Sequence, residues 1–96
     1  MNYLDADARL IRSLLPAEAA PPDDAAELFV LYAVLLRAKG EQVSAEDVHD
    51  AWSAWMSTRD PGHPALIPFS DLPLSTRAAD EPYAVAIRAA AAQRLR

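Results

Sequence analysis

An unbroken run of nine apolar residues, Leu28 to Leu36, does most to limit what this 96-residue chain can fold into. A helix over Leu28, Phe29, Val30, Leu31, Tyr32, Ala33, Val34, Leu35 and Leu36 has no polar face for more than two turns, and a helix that is apolar all round must be contacted from several sides. The run is too short for a bilayer span, which takes roughly 20 residues. Two arrangements satisfy it: the central core helix of a small domain, or a helix at a subunit interface. The core is preferred, because a small domain needs one deeply buried element. The flanks carry helix signals. Asp24 and Glu27 have capping-box spacing and put acids at the positive end of the dipole. Arg37 and Lys39 fall in the last turn, and Gly40 follows as the residue type best able to take the left-handed conformation at a helix end. The reading is a helix over 24–39.

Three more helices are expected around it. Leu4, Ala8, Ile11 and Leu15 recur on one face, so residues 3–15 form an amphipathic helix, with Asn2 as cap, an Asp5–Arg9 pair four residues apart, and Pro16 stopping it. After a Pro- and Ala-rich linker (16–22) and the central helix, Ser44 and Asp47 form a second capping box, with Val43 and Val48 placed as a hydrophobic staple; this helix covers 45–58. Asp60-Pro61-Gly62-His63-Pro64 is turn-rich. The following Leu66-Ile67-Pro68-Phe69 reads as an ordered loop pinned by its apolar side chains, since Pro68 would remove a strand hydrogen bond. A short helix around Pro73 to Ala79 precedes the last helix, 81–95, which starts after Asp80 as cap with Pro82 in its first turn. Ala84, Ala86 and the alanines at 89–92 let it lie close to a neighbour. The fold class is all-α: one domain over 1–96, a small bundle of four main helices.

Composition narrows the chemistry. No cysteine is present, which removes disulfides, thiolate metal sites and thiol nucleophiles. The net charge of −5 opposes binding to phosphate backbones and anionic lipid, so neither nucleic acid nor membrane is an expected partner. Arg88, Arg94 and Arg96 form a basic C-terminal bias, read as cations complementing a helix dipole. The first seven residues lack a basic segment followed by an apolar run, so no secretory signal is expected and the location is read as cytoplasmic. Much of the apolar content is alanine, so packing should fall to Trp52, Trp55, Phe29, Phe69, Tyr3, Tyr32 and Tyr83 with the leucines and isoleucines.

The candidate binding surface is His49, Trp52, Trp55, His63 and Phe69. Indole and imidazole combine a large apolar body with a polar tip, which suits the edge of a core or a recognition pocket equally. His49, among Glu46, Asp47 and Asp50, can be drawn as a general base, but no nucleophile is identified beyond the nearby Ser53 and Ser57. A metal site from His49, His63 and Asp47 or Asp50 has ordinary ligand types, yet no two histidines lie one helical turn apart. Gly40 and Gly62 alone cannot build a phosphate loop. No catalytic residue, metal site or cofactor is expected.

Two resemblances bear on this. Val48-His49-Asp50-Ala51-Trp52, then His63-Pro64-Ala65-Leu66-Ile67-Pro68-Phe69, Leu72 and Asp80, within residues 47–88, resemble the ryanodine-receptor repeat domain, which implies a small-ligand or nucleotide pocket around His49, Trp52, His63 and Phe69. Over its whole length the chain resembles short uncharacterised proteins of actinobacteria and their phages, carried by residues 31–40, residues 45–56 and Asp80-Glu81-Pro82; that resemblance implies a domain of unknown function. The expectation is a non-enzymatic helical interaction module that docks a protein partner or itself, with small-ligand sensing as the alternative.

Overall fold

The computed structural model describes residues 1–19 and 21–94 of the chain. It is all-α: helices α1 (Tyr3–Ser13), α2 (Ala26–Lys39), α3 (Ala45–Arg59), the short α4 (Leu74–Ala78) and α5 (Glu81–Arg94), with 3-10 turns at Ala17–Ala19, Gly40–Gln42 and Phe69–Asp71. The expected four-helix bundle is present, with the short fourth element where the sequence puts it. Residue 95, the expected end of the last helix, and Arg96 lie outside the described residues.

Helix α2 lies at the centre, packed against α1, α3 and α5. Leu28, Phe29, Tyr32, Ala33 and Leu36 are its buried residues; burying a large apolar side chain contributes about 1.5–3 kcal/mol. Phe29, Tyr32 and Tyr83 of α5 pack as a ring trio, with centroids 5.4 to 6.5 Å apart. The Tyr83 hydroxyl donates to the Ala19 carbonyl at 2.9 Å, tying the linker to the bundle. Burial pushes the Tyr32 hydroxyl far above the ordinary phenol range, with Tyr83 and Asp80 adding to the shift. On α5, Ala84, Ala86, Ala90 and Ala91 are buried, so small side chains do bring this helix close to its neighbours.

Both ends of α1 and the start of α3 follow local rules. The Asn2 side chain accepts from the Asp5 N–H and Asp5 accepts from the Asn2 N–H, a complete capping box. That use of Asp5 replaces the expected pairing with Arg9. The helix stops at Ser13 rather than Leu15: the Leu15 N–H turns to the Arg12 carbonyl at 3.3 Å, three residues back, and Pro16 disfavours helical backbone at Leu15. Ser44 and Asp47 cap α3 reciprocally, with Val43 and Val48 buried as the staple. Desolvation works to raise the Asp47 carboxyl, but hydrogen bonds from the Ser44 backbone, Lys39 and the Ser44 hydroxyl outweigh it and hold it below the usual carboxylate range.

Further expectations are corrected. The capping box at Asp24 and Glu27 does not form: Asp24 has φ of 60°, α2 starts two residues later with Ala25 as an N-cap lacking a side-chain bond, and Arg59 of α3 instead binds the Asp24 carbonyl at 3.1 Å and carboxylate at 3.3 Å. Tyr3, expected in the core, is 62% exposed and lies under the Arg37 guanidinium. The C-terminal arginines do more than complement a dipole. Arg88 donates to the Val43 carbonyl at 2.8 Å and to Glu81 at 3.0 Å, while Arg94 reaches across to α1. Gly40 takes positive φ as expected, but with ψ of −126° it is outside the left-handed helical region and turns the chain directly into the 40–42 turn.

Asp7 joins three helices. It is 1% exposed, and its carboxylate is held by Arg37 Nε of α2 at 2.7 Å and Arg94 Nε of α5 at 3.1 Å. Ionised hydrogen bonds of this kind are each worth about 1.5–3 kcal/mol, and neither arginine loses all contact with water. Asp7→Ala should therefore lower stability by about 3 kcal/mol, whereas Lys39→Ala, which breaks the surface pair with Asp47, should cost less than about 1 kcal/mol. Urea unfolding of both variants checks this; equal small losses would contradict it.

Candidate functional site

Four of the five residues singled out from sequence come together. His49 and Trp52 project from α3, and the turns after it return His63, Ile67 and Phe69 to the same side. The His63 N–H bonds the Asp60 carbonyl at 3.0 Å and the Leu66 N–H bonds the His63 carbonyl at 3.1 Å. His49 stacks on Trp52 at 5.6 Å, His63 meets Trp52 edge-on at 5.1 Å, and Phe69 lies 6.1 Å from His49. Arg77 of α4 clamps the far end of the loop, donating to the Leu72 and Ser70 carbonyls. The loop is thus held by polar contacts to its backbone as well as by apolar packing. Trp55 is on another side of α3, buried beneath Arg59, whose guanidinium is 4.3 Å from the ring; among the described residues its indole N–H finds no hydrogen-bond partner.

Hydrogen bonding defines the two imidazoles. His49 is buried and its Nε2 is 2.7 Å from the Ile67 carbonyl; a carbonyl only accepts, so Nε2 carries the proton. Ser53 Oγ is 3.4 Å from that same nitrogen. His49 and Ser53 are neighbours, but the nitrogen facing the hydroxyl is protonated and committed to Ile67, so it does not act as a base toward Ser53 in this arrangement. The Ser57 hydroxyl donates to the Ser53 carbonyl at 2.6 Å. His63 Nδ1 accepts the Ala65 N–H at 3.0 Å, which leaves the proton on Nε2. A shallow groove of about 270 Å³ beside the cluster is lined by Asp50, Ser53, Ser57 and the 66–68 loop, not by the Trp52, His63 or Phe69 rings. Among the described residues no group of three or more His, Asp or Glu side chains converges closely enough to hold a metal ion.

A second surface was not singled out from sequence. Ala26, Val30, Val34 and Ala38 recur every four residues on the side of α2 turned away from the bundle. Ala26, Val34 and Ala38 are exposed and Val30 is half-buried; Val34 is 45% exposed. Beside this stripe a surface groove of about 440 Å³ runs along the junction of α2 and α1, with Ala8, Phe29 and Val30 as apolar lining and Asp5, Arg9, Arg12 and Glu27 as charged lining. The sequence did contain the signal, since α2 lacks a polar face. What it did not disclose was which side the bundle would leave open.

The chain matches a family model described as "Domain of unknown function (DUF7701)" over residues 2–92. It belongs to that family, a class of small all-α domain. No curated protein and no solved structure matched the chain.

Asp80, at the entry to α5, is close enough to His49, Tyr32 and Tyr83 for their charges to interact. Burial raises its carboxyl to about 6, against a smaller lowering by His49. Because the folded pKa exceeds the unfolded one, the fold binds the extra proton, and this group's contribution to stability rises as pH falls through about 6. Asp80→Asn should raise the melting temperature at pH 7.5 and remove that part of the gain between pH 7.5 and 5. The comparison is variant against parent, so that other titrating groups cancel; parallel pH curves would contradict it.

Proposed function

We propose that the domain is a non-enzymatic interaction module that docks a protein helix on the open face of α2. The observation that carries this reading is that α2 presents Ala26, Val30, Val34 and Ala38 to solvent, where a helix covered on its other sides would ordinarily carry polar residues. Apolar surface gathered on one face is a common mark of a protein contact. The pocket of His49, Trp52, His63 and Phe69 has weaker support: its rings pack on one another and both imidazoles bond to the local backbone. The reading involves no cofactor, nucleic acid or membrane. Among the described residues no helix is long and apolar enough to cross a bilayer. It extends to a cytoplasmic protein of actinobacterial or phage origin, and for that it rests on the sequence likeness.

A photo-crosslinking residue at position 34 should give a covalent protein adduct in cells, and the same residue at Val85 of α5, which is at least as exposed, should not. Val34→Lys should change folding stability by no more than about 0.5 kcal/mol while preventing adduct formation from a crosslinker at position 30. Equal labelling at 34 and 85, or none at either, would contradict the proposal.

A further inference from the structure

Resting on that reading, we infer that the helix docked on α2 carries acidic residues along the flank that faces α1, where they pair with Arg9 and Arg12. Both arginines lie about one turn apart on α1 and line the groove that also borders Ala26 and Val30, so a helix lying on the α2 stripe passes alongside them. The chain has 14 acidic and 9 basic residues, an excess in which most cations should find a carboxylate, and Arg37, Lys39, Arg59, Arg88 and Arg94 each do. Arg9 and Arg12 make no ion pair among the described residues.

The two acids of the same groove have tasks of their own. The Asp5 carboxylate accepts the Asn2 N–H at 3.1 Å and completes the cap of α1. Glu27 stands in the first turn of α2, a helix whose N-cap residue offers no side-chain bond, so it is the acid that meets the positive end of that dipole. The charge left for a partner is therefore positive and lies on the α1 side. Arg12 is also held in place: its guanidinium is 4.8 Å from the Phe29 ring centroid, and a guanidinium stacked on a ring keeps its N–H edge for a carboxylate. Charges at the rim of an apolar contact choose the partner and its orientation more than they add affinity. A helix with apolar residues at i, i+4 and i+7 for the Val30 and Val34 side, and acids one turn apart on the adjoining flank, matches both features. A helix with lysine or arginine on that flank would face two like charges.

A photo-crosslinker at position 30, in the groove itself, tests this on the full chain in cells, with the joined fragment sequenced by mass spectrometry. That fragment should carry Asp or Glu residues three or four apart, close to the joined position. Arg9→Glu should cut the adduct yield several-fold and Arg9→Glu with Arg12→Glu should abolish it, while Arg9→Lys with Arg12→Lys, which keeps the charge, should retain most of it. The Arg9 side chain makes no hydrogen bond or ion pair among the described residues, so Arg9→Glu separates charge from folding, and an unchanged melting temperature checks that it does. An undiminished adduct after both Glu substitutions, an equal loss after both Lys substitutions, or a joined fragment without acids would overturn the acidic partner and leave the docking reading standing. No adduct from position 30 or 34 in the otherwise unaltered protein would end both.

Discussion

The structure depends on one hydrophobic constraint: from Leu28 to Leu36, α2 is apolar around its whole circumference, so most of it must be covered by other elements. Helix α1 brings Ala8 and Ile11 to one side, α3 brings Val48, and α5 brings Ala84, Ile87, Ala90 and Ala91. Each neighbour is suited to its place. Helix α1 has a single apolar stripe with a polar back. Helix α5 is built from alanine, so its backbone approaches closely and Phe29, Tyr32 and Tyr83 can fill the space between helices. Three neighbours cover most of α2, and the side bearing Val30 and Val34 is left over.

Polar contacts set the angles at which these covers sit. Asp7 takes an arginine from α2 and another from α5, so the carboxylate tolerates burial only when all three helices are in register; an unpaired charge there would be strongly unfavourable. Arg88 performs a related task by bonding the Val43 carbonyl just before α3, and Arg59 ties α3 back to the chain entering α2. Long cationic side chains thus reach between elements that apolar packing alone would leave free to slide.

The helices were legible in the sequence because each is encoded locally, by apolar spacing and by reciprocal caps such as Asn2 with Asp5 and Ser44 with Asp47. The failures share a cause. Asp24 and Glu27 have the spacing of a capping box, but Asp24 takes a positive φ as the chain turns in from the linker, so the helix starts after Ala25 and Asp24 meets Arg59 of α3 instead. Asp5 and Asp7 are both acids on an amphipathic helix; nothing local distinguishes the one that caps from the one that is buried under two arginines 30 or more residues away. The ring cluster was legible as a group because His63 and Phe69 follow a turn that returns the chain to α3, yet Trp55, three residues from Trp52, projects to a different side. The open stripe was hidden for a related reason: in a helix without a polar face, periodicity cannot say which side remains uncovered.

The claim that the bundle covers α2 on three sides and leaves the Val34 side open is tested most directly by the solvent accessibility of its own side chains. Paramagnetic relaxation of methyl resonances by a soluble probe reads Val34, Val48 and Val85 in one sample. The account predicts strong relaxation of the exposed Val34 and Val85 methyls and protection of the buried Val48 methyls. Val34 methyls as protected as those of Val48 would contradict it.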